Sequence, residues 1–219
     1  KVLGIDFGGS FTDCVVLQQN KIVFRYSVSF LQFDEKQLKE RLQQQNLNPE
    51  KVCITGKNNA TGFSNPVFVD ELQSISLGAC FLSQKNKFVV VSIGTGTPIL
   101  SYHAGTVNHL GGTGVGGGTL EGLSRLLLQQ NVVDAHALAL HGTPSLDLTV
   151  QDVIGQGIGR IPADATASNF GAVTENALPE NRAFSLFNLV AETVGVCACL
   201  AAEKIGFRTV VFVGRASTF

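Results

Sequence analysis

The chain has 219 residues, 44% hydrophobic and 15% charged, with 16 Lys and Arg against 17 Asp and Glu. That is enough apolar material for one large or two small domains. The near balance of charge, with no basic block, argues against nucleic acid or an anionic membrane surface as a partner. No signal-peptide pattern opens the chain, and the longest apolar stretch, LFNLVAETVGVCACLAA (186–202), is interrupted by Asn188, Glu192 and Thr193. It reads as a buried helix rather than a membrane span. Five cysteines, at 14, 53, 80, 197 and 199, follow no disulfide framework, and Cys197 and Cys199 fall on different sides of a helix. They read as reduced thiols of a cytoplasmic protein and not as a metal pair. The chain contains no methionine and ends at Phe219, just past a strand and a glycine turn. Both features suggest a portion of a longer sequence.

In chain order, KVLGIDFGG predicts a short apolar strand broken by Gly8 and Gly9, and TDCVVL and KIVFRYSV predict two further strands across a QQN turn. Residues 34–45 are polar with Leu38 and Leu42 four apart, the pattern of a surface helix, and KVCITG follows as a strand. After the loop KNNATGFSNPV, the segment DELQSISLGACFL predicts a helix with Leu72, Ile75, Ala79 and Leu82 on one face. NKFVVVSIGTGTPILSY then repeats the opening logic of strand, glycine turn and strand. Two such units about ninety residues apart predict two related α/β lobes. Residues 132–154 suggest short helices of an insertion or cap, 183–205 a long helix, and TVVFVG a last strand.

The stretch GGTGVGGGTLEGLSRLLL (111–128) places six glycines in nine positions directly before a leucine-rich amphipathic run. Glycine is concentrated where backbone turns tightly or approaches something closely. The predicted helix, 119–130 with Leu120, Leu123, Leu126 and Leu127 on one face, offers unpaired N–H groups and a partial positive charge at its start. A loop of bare amides entering such a helix is suited to cradling phosphate; a flexible linker is the competing reading.

GIDFGGS (4–10), DEL (70–72), VSIGTGT (91–97), GGTGVGGGTLEGL (111–123), SNFG (168–171) and VVFVG (210–214) together resemble the type II, eukaryotic-like pantothenate kinases, within the acetate and sugar kinase, Hsp70 and actin superfamily. The order and spacing hold over nearly the whole chain. The resemblance implies an α/β fold of two RNase-H-like, actin-like ATPase lobes with the nucleotide cleft between them: an N-terminal lobe over 1–84, and a C-terminal lobe over 85–219 carrying the helical insertion near 132–160. It implies transfer of the γ-phosphoryl of ATP to the primary hydroxyl of pantothenate, the first step of coenzyme A synthesis, with ATP and Mg²⁺ as cofactors and a homodimer using the long helix.

On that reading Gly8, Gly9 and Ser10 serve the β- and γ-phosphates, and Gly94, Gly116, Gly117, Gly118 and Thr119 hold the rest of the triphosphate. Asp6 holds Mg²⁺ directly or through water, and Glu71 is the base that takes the hydroxyl proton. By itself, an Asp-Glu pair before an apolar helical run is equally N-terminal capping chemistry. Thr95 and His109 fall on the acceptor side.

Three positions depart from the family. Asp13 stands near a lysine position. His109 replaces an arginine that contacts substrate, and a histidine offers at most one contact where arginine offers two. Pro98 replaces a small hydroxyl residue and donates nothing. These changes leave open a kinase for a related alcohol or pantothenate analogue, or a catalytically impaired ATP-binding homologue. The hydantoinase and oxoprolinase group shares the IDFGGSFTD opening but does not account for residues 111–119.

Overall fold

Strand β1 (Val2–Phe7) alternates: Leu3, Ile5 and Phe7 are buried, while Asp6 faces the other way and is exposed. It begins the first of two units, Lys1–Lys85 and Asn86–Phe219, into which the chain divides in a computed structural model describing residues 1–57 and 61–219. β2 (Phe11–Gln18) and β3 (Lys21–Ser29) follow as antiparallel neighbours. The turn joining them puts Gln19 and Asn20 at φ 49° and 59°, the two left-handed residues that a tight twisted hairpin needs. Helix α1 (Glu35–Gln44) starts where Asp34 accepts the Lys36 N–H at 2.9 Å, and buries Leu38 and Leu42 against the sheet. β4 (Lys51–Gly56) lies parallel to β1, β5 (Val67–Phe68) lies parallel to β4, and α2 (Glu71–Ser83) closes the unit. Part of the expected 57–67 loop, residues 58–60, lies outside the described residues.

The second unit begins with β6 (Lys87–Ser92), β7 (Thr97–His103) and β8 (Thr106–Thr113), followed by α3 (Gly117–Leu128) and α4 (Val132–Ala139). A small ribbon of β9 (Leu148–Thr149) and β10 (Thr166–Ser168) flanks α5 (Val150–Ile154); α6 (Pro179–Lys204) and β11 (Val210–Val213) complete the unit. The sheet orders are β3-β2-β1-β4-β5 and β11-β6-β7-β8. Each unit therefore has three strands joined antiparallel and a fourth that returns parallel beside the first.

The repeat extends to one glycine in each unit. Gly56 ends β4 at φ +90°, and a Cβ there would stand 2.3 Å from the Phe7 carbonyl oxygen; Gly214, just after β11, has φ +92° and would meet the Ile93 carbonyl oxygen at 2.6 Å. Both positions combine a left-handed backbone with contact against the end of the central strand, which only glycine tolerates without strain.

Several expectations change. The glycine stretch is not one loop: β8 runs through Gly111 and Gly112, with a bulge at the register shift between Ile99 and Leu100. Helix α3 starts at Gly117, two residues earlier than the amphipathic pattern suggests, and its leucines divide: Leu120 is buried, but Leu126 is 74% exposed. Leu82 of α2 is also largely exposed, and Ser76 with Ala79 forms the buried contact. Within the expected insertion, α4 buries Ala135 and Ala139 and belongs to the helical layer beside α6. Helix α6 is long and apolar enough to cross a membrane by length and composition. Its stripe Ala183, Leu186, Val190, Val194, Ala198 and Ala202 is buried within the unit at helical spacing.

Candidate active site

In the first unit, register places Asp6 of β1 directly opposite Asp13 of β2, on the exposed face of the pair. Like charges in that position repel. The third carboxylate comes from α2. Asp70 is the N-cap and accepts the Gln73 N–H at 3.0 Å, so Glu71 stands at the first helical position without the capping duty. Although Asp6 is exposed at the surface, the surrounding protein desolvates its carboxyl and the charges of Glu71 and Asp13 add to the effect, raising its pKa to about 6. Burial, reinforced by Asp13 and Asp6, lifts the neighbouring Cys14 thiol to about 12. It is therefore no nucleophile at neutral pH.

A hard divalent cation fits this set, since it would offset both the desolvation and the neighbouring negative charge that raise Asp6. Among the described residues no three His, Cys, Asp or Glu side chains form a metal-binding group. Mg²⁺ in general keeps several waters and takes one or two carboxylates together with phosphate oxygens. Gly8, Gly9 and Ser10 form the turn between β1 and β2, and no hydrogen bond engages the Gly9 or Ser10 N–H among the described residues. Ser10 uses its carbonyl to accept the Phe30 N–H at 2.9 Å.

In the second unit the start of α3 is drawn against the turn between β6 and β7. Gly117 N–H donates to the Gly94 carbonyl at 2.8 Å and Gly118 N–H to the Thr95 carbonyl at 3.0 Å. A Cβ at Gly116, Gly117 or Gly118 would lie 2.9, 2.7 or 2.9 Å from Thr97 Oγ1, Gly94 O or Thr95 O respectively. These three glycines thus permit close packing of a helix end on a hairpin turn. This corrects the expectation that their amides are bare: Gly116 N–H also donates, to Thr119 Oγ1 at 3.1 Å. The flanking threonines brace the bend. Thr119 Oγ1 donates to Gly114 O at 3.1 Å, Thr113 Oγ1 accepts the Val115 N–H at 3.1 Å, and buried Thr97 donates to Val115 O at 2.8 Å. Among the described residues of this bend, the N–H groups with no hydrogen-bond partner are those of Thr95, Gly96, Gly114 and Thr119. Thr119 lies in the first turn of α3, at the positive end of that helix.

His109 is exposed on β8 opposite Leu100. Pro98 lies within β7 opposite Gly112, whose missing side chain makes room: a Cβ there would stand 3.2 Å from Pro98 Cα.

One buried group was not expected from sequence. Asp147 is buried and accepts the Phe170 N–H at 2.8 Å and Asn188 Nδ2 at 3.0 Å, while Asn169 Nδ2 donates to Glu192 at 3.0 Å. The SNFG turn is docked onto α6 by these bonds. Asn188 and Glu192, the polar interruptions of the long apolar run, are four residues apart on one helix face, which was the available signal.

Residues 76–216 match the Fumble family. The chain is 29% identical to the type II pantothenate kinase of Bacillus cereus, over 98% of this chain and 83% of that protein. It is 30% identical to the type II pantothenate kinase of Staphylococcus aureus, over 97% and 83%. Among solved structures, component A of the Acidaminococcus fermentans (R)-2-hydroxyglutaryl-CoA dehydratase is similar with a TM-score of 0.68 at 18% identity, covering 97% of this chain and 82% of that one. A ROK hexokinase from Thermus thermophilus is similar with a TM-score of 0.54 at 13% identity, covering 97% and 81%. The fold common to these structures is the α/β actin-like ATPase fold. The doubled strand order, the glycine turns and the extent of these matches place the chain in the Fumble family, together with the type II pantothenate kinases.

Proposed function

We propose that this chain phosphorylates the primary hydroxyl of pantothenate with ATP, the opening step of coenzyme A synthesis. The observation that carries the reading is the division of labour at the start of α2: Asp70 caps the helix, leaving the Glu71 carboxylate close enough to Asp6 to raise its pKa. Similarity to type II pantothenate kinases along nearly all of the chain supports the substrate.

Glu71 accepts the proton of the attacking hydroxyl. Gly8, Gly9 and Ser10 donate main-chain hydrogen bonds to the terminal phosphates. Thr95, Gly96 and Thr119 N–H groups serve the triphosphate, with Gly94, Gly116, Gly117 and Gly118 giving the backbone its close approach. Asp6 would hold Mg²⁺, which when bound neutralises charge on the transferring phosphoryl group. His109 and the Thr95 hydroxyl bear on the acceptor. The residue ranges 1–84 and 85–219 act as the two lobes of a cytoplasmic enzyme. Two copies associate through the outer side of α6, where Val196 and Leu200 are 59% and 61% exposed.

ADP release coupled to pantothenate addition tests the reading. Turnover with pantothenate and none without an acceptor is expected. Turnover with pantetheine but not pantothenate would move the acceptor to a related alcohol lacking the carboxylate. ATP binding without turnover on either would leave an impaired homologue. A dimer by light scattering that becomes a monomer in Leu200→Glu is expected for the α6 contact.

A further inference from the structure

The first glycine turn is short of positive charge. The charges of Glu71 and Asp13 both bear on Asp6 beside it, and on the reading above the turn also receives the terminal phosphates. Like charges at such range repel, the more so where water is partly excluded. A single divalent cation offsets only part of that excess.

A lysine stands at the same end of the sheet. β4 lies parallel to β1 with Gly56 opposite Phe7, and the left-handed Gly56 turns the chain across the end of β1. The next residue, Lys57, donates its N–H to the Phe7 carbonyl at 3.0 Å. Phe7 leads directly into Gly8 and Gly9. The Lys57 main chain is therefore held against the residue that enters the turn, which a flexible four-carbon stem can reach. Lys57 is exposed, and among the described residues it makes no ion pair. Other cations of this unit are placed elsewhere. Lys1 and Lys51 lead into β1 and β4, and Lys21 into β3, all at the opposite end of the sheet. Lys39 and Arg41 of α1 are held over the rings of Phe63 and Tyr26.

We propose that the Lys57 ammonium contacts the terminal phosphate of ATP at the first glycine turn. The proposal rests on the phosphate reading of Gly8, Gly9 and Ser10 given above. Lysine binds phosphate as a point charge. Placed here it offsets the carboxylates without occupying the cation position at Asp6, and it supplies charge neutralisation, which phosphoryl transfer requires.

Isothermal titration of the full chain with ATP and with ADP, Mg²⁺ present, tests it, because ADP lacks the group in question. Lys57→Ala should weaken ATP binding about tenfold or more and leave ADP binding unchanged. Its Tm should not move, since the main-chain bond to Phe7 remains. Lys57→Arg, which keeps the charge, should restore most of the ATP affinity. Lys51→Ala removes the same charge from the far end of β4 and should alter neither affinity, which separates a direct contact from a long-range effect of net charge. An ATP affinity unmoved in Lys57→Ala, or an equal loss for ATP and ADP, overturns the proposal. A parent chain that binds neither nucleotide refutes the phosphate reading of the turn and the Lys57 contact with it. A parent that binds ATP without phosphorylating pantothenate refutes the acceptor alone, and the Lys57 comparison still decides the contact.

Discussion

The two units repeat one strand plan and invert its chemistry. Counting from the glycine turn, Asp6 of β1 corresponds to Ser92 of β6, and the returning strands end in the matched glycines Gly56 and Gly214. Around the first turn gather three carboxylates, Asp6, Asp13 and Glu71. Around the second there is no carboxylate in the corresponding strand positions, and the neighbours are hydroxyls and main-chain amides: Ser92, Thr95, Thr97 and the start of α3. On the proposed reading the first turn adds proton and cation chemistry to its phosphate contacts, whereas the second serves anion binding alone. What differs is the helix that reaches each turn: α2 brings an acid, whereas α3 brings glycines.

The largest expected effect separates these roles. Glu71→Gln removes the proposed base but keeps the Asp70 cap, so kcat should fall about a thousandfold while ATP affinity changes only a few-fold. Gly118→Ala is the reciprocal lesion. Its Cβ would press on the Thr95 carbonyl at 2.9 Å, displacing the helix start, and should weaken ATP binding about tenfold or more. Isothermal titration and steady-state kinetics on both variants decide the matter. A Glu71→Gln enzyme with normal kcat removes the base assignment. Unchanged ATP affinity in a folded Gly118→Ala variant removes the anion role of the bend.

A smaller effect sharpens the electrostatic half of the comparison. The pKa of Asp6 is raised in the fold from 3.8 to about 6. Between those values the folded chain holds a proton that the unfolded chain releases, so this group's stabilising contribution is full below pH 4 and is lost as pH rises through 6. Asp6→Asn removes that slope. The variant should gain Tm relative to the parent as pH rises from 5 to 7, while losing turnover because the proposed cation ligand is gone. Addition of Mg²⁺ at pH 7 should narrow the gap by stabilising the parent alone. A Tm difference that does not vary with pH would mean that neither burial nor the neighbouring carboxylates raise the pKa of Asp6.

Local pattern made much of this legible. The β-β-β-α-β order, the Gln19-Asn20 hairpin and the second strand-turn-strand all follow from alternation and turn chemistry. Two things were hidden for physical reasons. Glycine carries no periodic signal, so the continuation of β8 through Gly111 and Gly112 could not be told from loop, and the need for Gly116 to Gly118 arises from contacts with a turn some twenty residues away. The Asp147 network joins residues 41 apart in sequence, a separation at which no local pattern operates. Conversely, the leucines of α3 overstate burial, because a helix packed by one narrow stripe leaves Leu126 in solvent.

The smallest expected effect concerns the acceptor and asks whether the second unit adds more than phosphate binding. His109 is exposed on β8, two residues before the strand enters the glycine stretch. A neutral imidazole gives a carboxylate one hydrogen bond, whereas a guanidinium gives two with charge. If pantothenate's carboxylate is bound at this strand, His109→Arg should lower its KM about tenfold and leave kcat and the KM for ATP unchanged, an effect of about 1.4 kcal/mol. Because the side chain is exposed and crosses no packed interior, the substitution is not expected to change the Tm. An acceptor KM that stays the same would place the carboxylate elsewhere and confine the second unit to the nucleotide; the first unit would then carry the acceptor as well as the base.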